Sequence, residues 1–171
     1  MKVKILRIVD NTLIDAQILD ARSIKIMLPS VTNGWRFNFN KHIKKTDFEI
    51  YVLVKDDTST VIEGCLTFEM KQKIEPYIAF VEVAPHNQGD DKELERVAGC
   101  LIAFACRLSF MKGNNDFKGW LAFDVIEEEQ EDEIKLMAIY ATKYNALRFG
   151  KSTTMVIPPM GGEKLIDEFL N

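Results

Sequence analysis

Tyr77-Ile78-Ala79-Phe80-Val81-Glu82-Val83-Ala84-Pro85 is the stretch whose reading decides the fold, together with the loop His86-Asn87-Gln88-Gly89-Asp90-Asp91-Lys92 and the apolar run from Leu94 to Met111 that follow it. The β-branched and aromatic residues of Tyr77–Val83 suit a pleated strand, and Ala84-Pro85 stops it. Leu94, Val97, Ala98, Leu101, Ala105 and Leu108 then line one face of a long helix, with Phe104, Phe110 and Met111 on another. A helix apolar over more than one stripe is covered on most sides. Gly113 closes it, and Gly119-Trp120-Leu121-Ala122-Phe123 reads as a second short strand. Strand, Pro-stopped loop, long helix and strand form a βαβ-type unit, whose crossover rule makes the two strands parallel. The loop lies beside the helix N-terminus, where unpaired backbone N–H groups can hold an anion.

Working outward, Val3 to Val9 alternates basic and apolar residues and reads as a first strand. Asp10-Asn11-Thr12 is expected to cap a helix with Leu13, Ile14, Ile18 and Leu19 on one face. Pro29 to Gly34 is a loop, and Trp35 to Asn40 is either a bent aromatic segment or a helix start. Phe48–Val54 and Val61–Phe68 are strands joined by the turn Asp56–Thr60, and after a second turn at Lys71–Pro76 the strand Tyr77–Val83 extends the meander antiparallel. Acids from Glu127 to Glu133 precede a helix at Ile134–Tyr144, as the helix dipole favours. Ala146–Phe149 and Thr153–Ile157 read as short strands, and Glu163–Leu170 as an amphipathic tail helix.

The chain has 171 residues, ordinary for one domain spanning residues 1–171. Its formal net charge of -4 argues against nucleic acid as the main partner, because phosphate binding needs concentrated Lys and Arg. Cys65, Cys100 and Cys106 sit among apolar neighbours with no CxxC spacing, and are expected to be buried reduced thiols of a cytoplasmic protein. His42 and His86 lie far apart, and no metal-binding spacing is present. No run approaches the length of a membrane span.

The order β, helical region, three β, long α, β, α, β resembles that of the GNAT acetyltransferase superfamily, most clearly over residues 47–157. The resemblance implies an α/β fold with a twisted mixed sheet, helices on both faces, and acetyl-CoA in a V-shaped split between Tyr77–Val83 and Gly119–Phe123. The family's Val-x-Pro strand ending matches Val83-Ala84-Pro85. It implies that the backbone of Val81 and Val83 meets the acetyl group and the pantetheine arm. The family's pyrophosphate loop, Gln/Arg-x-x-Gly-x-Gly/Ala, falls on Glu93-Leu94-Glu95-Arg96-Val97-Ala98, where only Ala98 matches and Arg96 replaces a Gly. Backbone N–H groups do not depend on side-chain identity, so the expected anion contacts are the N–H groups of Arg96, Val97, Ala98 and Gly99. Arg96 and Lys92 add positive charge there, and Glu93 and Glu95 oppose it.

An aromatic residue paired with Tyr and followed by a Gly turn marks the family's last helix; here Ile139-Tyr140 precedes Asn145-Ala146. Asn adopts the left-handed conformation a helix C-cap needs. The resemblance assigns Tyr140 the donation of a proton to the departing CoA thiolate. An amine acceptor must also lose a proton, and the candidate bases are Glu82 and His86, with a water chain as the alternative. Glu82 is expected to point away from the face of Val81 and Val83. Three readings follow. The first is an N-acetyltransferase acting on an unidentified amine. The second is a catalytically inactive GNAT-fold binding protein. The third is a small α/β domain working as a homodimer through Trp35–Phe39 or the C-terminal strands.

Overall fold

The structure, a computed structural model, describes residues 1–171. The chain begins with β1 (Lys2–Arg7), β2 (Thr12–Asp20), a single-turn helix α1 (Phe39–His42) and the meander β3 (Phe48–Lys55), β4 (Ile62–Lys71) and β5 (Glu75–Val83). It continues through a two-residue strand β6 (Leu94–Glu95), the long helix α2 (Val97–Lys112), β7 (Leu121–Asp124) and helix α3 (Gln130–Tyr144). It ends with β8 (Leu147–Arg148), β9 (Thr154–Ile157) and helix α4 (Pro159–Leu170). All nine strands join one sheet in the order β6-β1-β2-β3-β4-β5-β7-β9-β8. Its one parallel pair is β5 with β7, as the crossover through α2 requires.

The segment after Asp10 is a strand, not the helix expected from its capping residues. Asn11 takes a left-handed φ of 53°, and the Asn11 N–H donates to Ile8 O. That tight turn folds β2 back on β1, with Arg7 opposite Thr12 and Lys2 opposite Gln17. Ala16 and Ile18 alternate into the core while Asp15 and Gln17 face out, a period of two. Asn at a left-handed turn position and Asp at an N-cap are both common, so the dipeptide alone favours neither. The long helix also begins later than its apolar pattern suggests. Leu94 and Glu95 pair with Arg7 and Leu6 of β1 before the chain turns into α2.

Two apolar clusters flank the sheet. The larger joins α2 to Met137 of α3, Leu165 of α4 and the inward residues of the strands, among them Leu66, Phe68, Leu121 and Ile157. On the other face, Trp35 and Phe39 cover Ile50, Val52, Val54 and Cys65. All three cysteines are buried and free, and burial pushes the Cys106 thiol up to about 12. Helix α2 approaches β4 closely at Gly64, where an added Cβ would stand 2.8 Å from side-chain carbons of both Val97 and Leu101. Gly64→Ala therefore overpacks the contact between helix and sheet. A loss of about 1–3 kcal/mol is expected in urea unfolding, with an unchanged m-value.

Candidate active site

The site is built on a strand pair that stays together for only two residues. Tyr77 lies opposite Ala122 and Ile78 opposite Phe123, and there the pairing of β5 with β7 ends. The register between β4 and β5 shifts at the same place: Phe68 pairs with Ile78 and Thr67 with Phe80, leaving Ala79 as the extra residue of a β-bulge. A bulge bends its strand and raises the local twist. Residues 79–83 therefore leave β7, and a wedge opens between the strands. The Ala84 N–H donates to Glu63 O, toward β4. Backbone groups alternate sides along an antiparallel strand, so the N–H and C=O of Val81 and Val83 face the wedge. The Val83 carbonyl already accepts from Gln88 Nε2 at 2.6 Å.

Three clefts run together along this wedge. Val81, Val83, Ala98, Ile139, Tyr140 and Tyr144 line a central one of about 320 Å³. It shares Val83, Ala98 and Tyr144 with a cleft of about 520 Å³ at the start of α2. It shares Val81, Leu136 and Tyr140 with a narrow one of about 110 Å³ beside Phe123. Tyr140 thus stands where β5 and β7 diverge. Its ring packs on Phe123 at 4.9 Å and near Tyr144 at 5.8 Å, and its hydroxyl meets no hydrogen-bonding partner in the protein. Burial, then the nearby Glu127 carboxylate, raises its pKa above the ordinary tyrosine value, so the phenol keeps its proton at neutral pH. Burial likewise pushes Tyr144 up to about 12.

At the helix start, no side chain caps α2. Arg96 precedes it with φ 73°, and the first helical bond runs from the Cys100 N–H to Arg96 O, which leaves the N–H groups of Val97, Ala98 and Gly99 without helical partners. These groups border the large cleft. The nearby side chains are already engaged. Arg96 donates from Nη2 to Glu168 O at 2.5 Å and covers the Phe169 ring, while Lys92 pairs with Glu95 at 2.9 Å. Arg96 Nε is buried without a partner. Phe169 fills the space beside Gly99, where an added Cβ would fall 2.2 Å from its ring. Thr142 and Lys143 face the same cleft from the end of α3. They were not singled out in the sequence, although Lys143 and Tyr144 follow Tyr140 at helical neighbour spacing.

The two candidate bases lie apart. Glu82 lines the central cleft, and its carboxylate accepts the backbone N–H groups of Arg36 at 2.7 Å and Phe37 at 3.0 Å. It fixes the segment before α1, whose structure the sequence did not disclose. That segment straps the wedge: Arg36 pairs with Glu127 at 2.8 Å and donates to Ile126 O at 3.0 Å, just past β7. His86 lines a different cleft, with Trp35 and Ile62, and its Nε2 lies 2.7 Å from the buried Glu63 carboxylate. Asn87 donates to that same carboxylate at 2.6 Å. No group of acidic, His and Cys side chains is placed to hold a metal ion, and no helix is long and apolar enough to cross a membrane.

No family model and no curated protein matches the sequence. Solved structures do match the fold. The KacTA–DNA complex superposes with a TM-score of 0.61 at 16% identity, covering 90% of this chain and 99% of that one. AtaTR bound with acetyl-CoA gives 0.56 at 12% identity, over 88% and 98%. A putative acetyltransferase from Exiguobacterium sp. 255-15 gives 0.51 at 11% identity, over 88% and 98%. The chain therefore has a GNAT-like fold, a mixed α/β architecture with one nine-stranded sheet.

Glu82 generates a stability prediction of its own. Glu82→Ala removes a charged acceptor from two backbone N–H groups, and hydrogen bonds to charged groups contribute about 1.5–3 kcal/mol each. A loss of at least that size is expected in thermal unfolding, with faster hydrogen exchange confined to Arg36, Phe37 and their neighbours.

Proposed function

We propose that this chain is an N-acetyltransferase that carries the acetyl group of acetyl-CoA to an amine acceptor. The observation that carries the reading is the Tyr140 hydroxyl, protonated and unpartnered in the wedge, in line with the uncapped start of α2. The binding of acetyl-CoA by a protein of the same fold, AtaTR, supports it. In this reading the pyrophosphate takes the N–H groups of Val97, Ala98 and Gly99, whose partial positive charge does not need the family's glycines. Lys143 adds a positive charge at the cleft. Arg96 and Lys92 are the further cations within reach, each held at present by its own partner. The pantetheine arm runs past Val83 and Ala98 into the wedge, and the thioester carbonyl meets the N–H of Val81.

The reaction then needs two proton transfers. The amine lone pair attacks the thioester carbon and forms the C–N bond. The carbonyl oxygen gathers negative charge, which backbone N–H groups stabilise without reorganising. As the C–S bond breaks, Tyr140 gives its proton to the sulfur, so free thiolate does not accumulate. The ammonium proton leaves through water toward Glu82, the candidate base that shares the cleft with Tyr140. His86 faces the other cleft and takes the role of fixing the loop after β5 through Glu63.

Two measurements test the reading. Millimolar CoA is expected to raise the melting temperature, because a ligand that binds only the folded state stabilises it; no shift would leave a GNAT-fold binding protein without cofactor. Tyr140→Phe keeps the ring and removes the acidic proton. Turnover is expected to fall by about 10²-fold or more with CoA affinity little changed. A raised tyrosine pKa places the loss of the proton donor on the alkaline side. The wild-type rate should therefore show no Tyr140-dependent decline until the pH passes the ordinary tyrosine range.

A further inference from the structure

A further cleft, of about 460 Å³, lies on the sheet face opposite α2 and joins the wedge from behind. It shares Phe37, Ala79, Phe80, Asp124 and Ile126 with the narrow cleft that reaches Tyr140. Its walls are largely aromatic, from Phe37, Phe48, Phe80 and Tyr77. At its far end stands Glu69, half-buried on β4 between Phe48 of β3 and Tyr77 of β5.

Glu69 differs from the other charged groups around it because it has no partner. Its carboxylate takes part in no hydrogen bond or ion pair in the protein, whereas the Asp124 carboxylate accepts from Tyr77 at 2.5 Å and from Thr154 at 2.6 Å. Two cations border the cleft, and both are engaged. Arg36 is held by Glu127, with Glu82 and Glu128 close enough to favour its charge further. Lys71 Nζ sits 3.2 Å from the centre of the Tyr77 ring. The charged residues of the lining are Glu69, Asp124, Arg36 and Lys71; behind the walls, Lys45 Nζ lies 4.8 Å over the Phe48 ring and His42 stacks on Phe80 at 4.2 Å, which leaves the Glu69 carboxylate as the one unpaired charge of the lining. A free carboxylate among aromatic faces attracts a cation, because aromatic rings and carboxylate both favour positive charge.

The register sets the distance. Glu69 lies opposite Tyr77, and Val81, at the wedge, is four residues further along β5. At about 3.3 Å per residue this is roughly 13 Å, and the reach of the Glu69 side chain reduces it to about 10 Å. Glu69 is thus too far from the wedge to touch the reacting nitrogen. We infer that the acceptor is an amine carrying a second cationic group about 10 Å from the nitrogen that is acetylated, the two separated by an apolar spacer. The Phe37–Phe80 walls hold the spacer, and Glu69 holds the distal cation. This inference rests on the acetyltransferase reading for which end reacts, and on the cleft alone for what binds.

Titration calorimetry with three probes tests it: octamethylenediamine, trimethylenediamine and octylamine, each against wild type and Glu69→Gln. The long diamine is expected to bind about tenfold more tightly than octylamine or the short diamine, and Glu69→Gln is expected to remove that advantage without lowering the melting temperature. Equal binding of octamethylenediamine and octylamine, no binding of either, or an advantage that survives Glu69→Gln overturns the inference. Acetyl transfer from acetyl-CoA to the same probes, with the CoA melting shift, separates the two readings. A diamine preference without a CoA shift or transfer sinks the enzyme and leaves the cation site. Transfer that ignores the second charge sinks the cation site and leaves the enzyme.

Discussion

The structure depends on the parting of β5 from β7. A parallel pair formed by a helical crossover would ordinarily continue until one strand ran out. Here the pairing stops after Ile78 and Phe123, because the bulge at Ala79 bends β5 toward β4. The parting leaves backbone groups of Val81 and Val83 without a β7 partner, and it gives the α3 face and the segment at Phe37 access to the same gap. Val81 and Val83 are both half-exposed, so water can reach these groups, and the Val83 carbonyl is met by Gln88 Nε2. The bulge therefore sets the shape of the cleft and which backbone groups border it.

Helix α2 contributes through its flanks and its start. Its flanks bury the core against Gly64 of β4 and against α4, and its start points free N–H groups into the cleft beside the wedge. Arg96 takes a left-handed φ of 73°, a conformation that Gly, lacking a Cβ, adopts at little cost. In this chain Arg96 accepts the strain, and its guanidinium reaches over Phe169 to the last turn of α4. The turn leaves the first N–H groups of α2 uncapped while the Arg96 side chain ties down the last turn of α4.

Glu82 shows how a residue expected to act chemically can first serve structure. Standing on the far side of β5 from the α2 core, it meets the N–H groups of Arg36 and Phe37 and so places the Arg36 strap and the Phe37 wall. Through Phe37 the same carboxylate shapes both the cleft that Tyr140 faces and the aromatic cleft behind it. His86 and Asn87 do comparable work around the buried Glu63, fixing the loop that leaves β5.

The sequence by itself determined the elements whose periodicity is long and unbroken: the meander from Phe48 to Val83, the apolar helix ending near Lys112, and the acid-led helix ending at Tyr140 to Tyr144. Burial patterns of period two or 3.6 are local, and they survive folding unchanged. From the Pro-stopped strand and the helix after it followed the parallel pairing and the fold class, since crossover handedness leaves few alternatives. Tertiary structure decided the rest. Asp10-Asn11-Thr12 suits a helix cap and a hairpin equally, and pairing with β1 selected the hairpin. Leu94 and Glu95 read as helix until an edge of β1 claimed them. Arg36, Phe37 and Glu69 carry no local signal at all, because the sheet brings them together from segments far apart in the chain, and only their shared cleft gives them a common meaning.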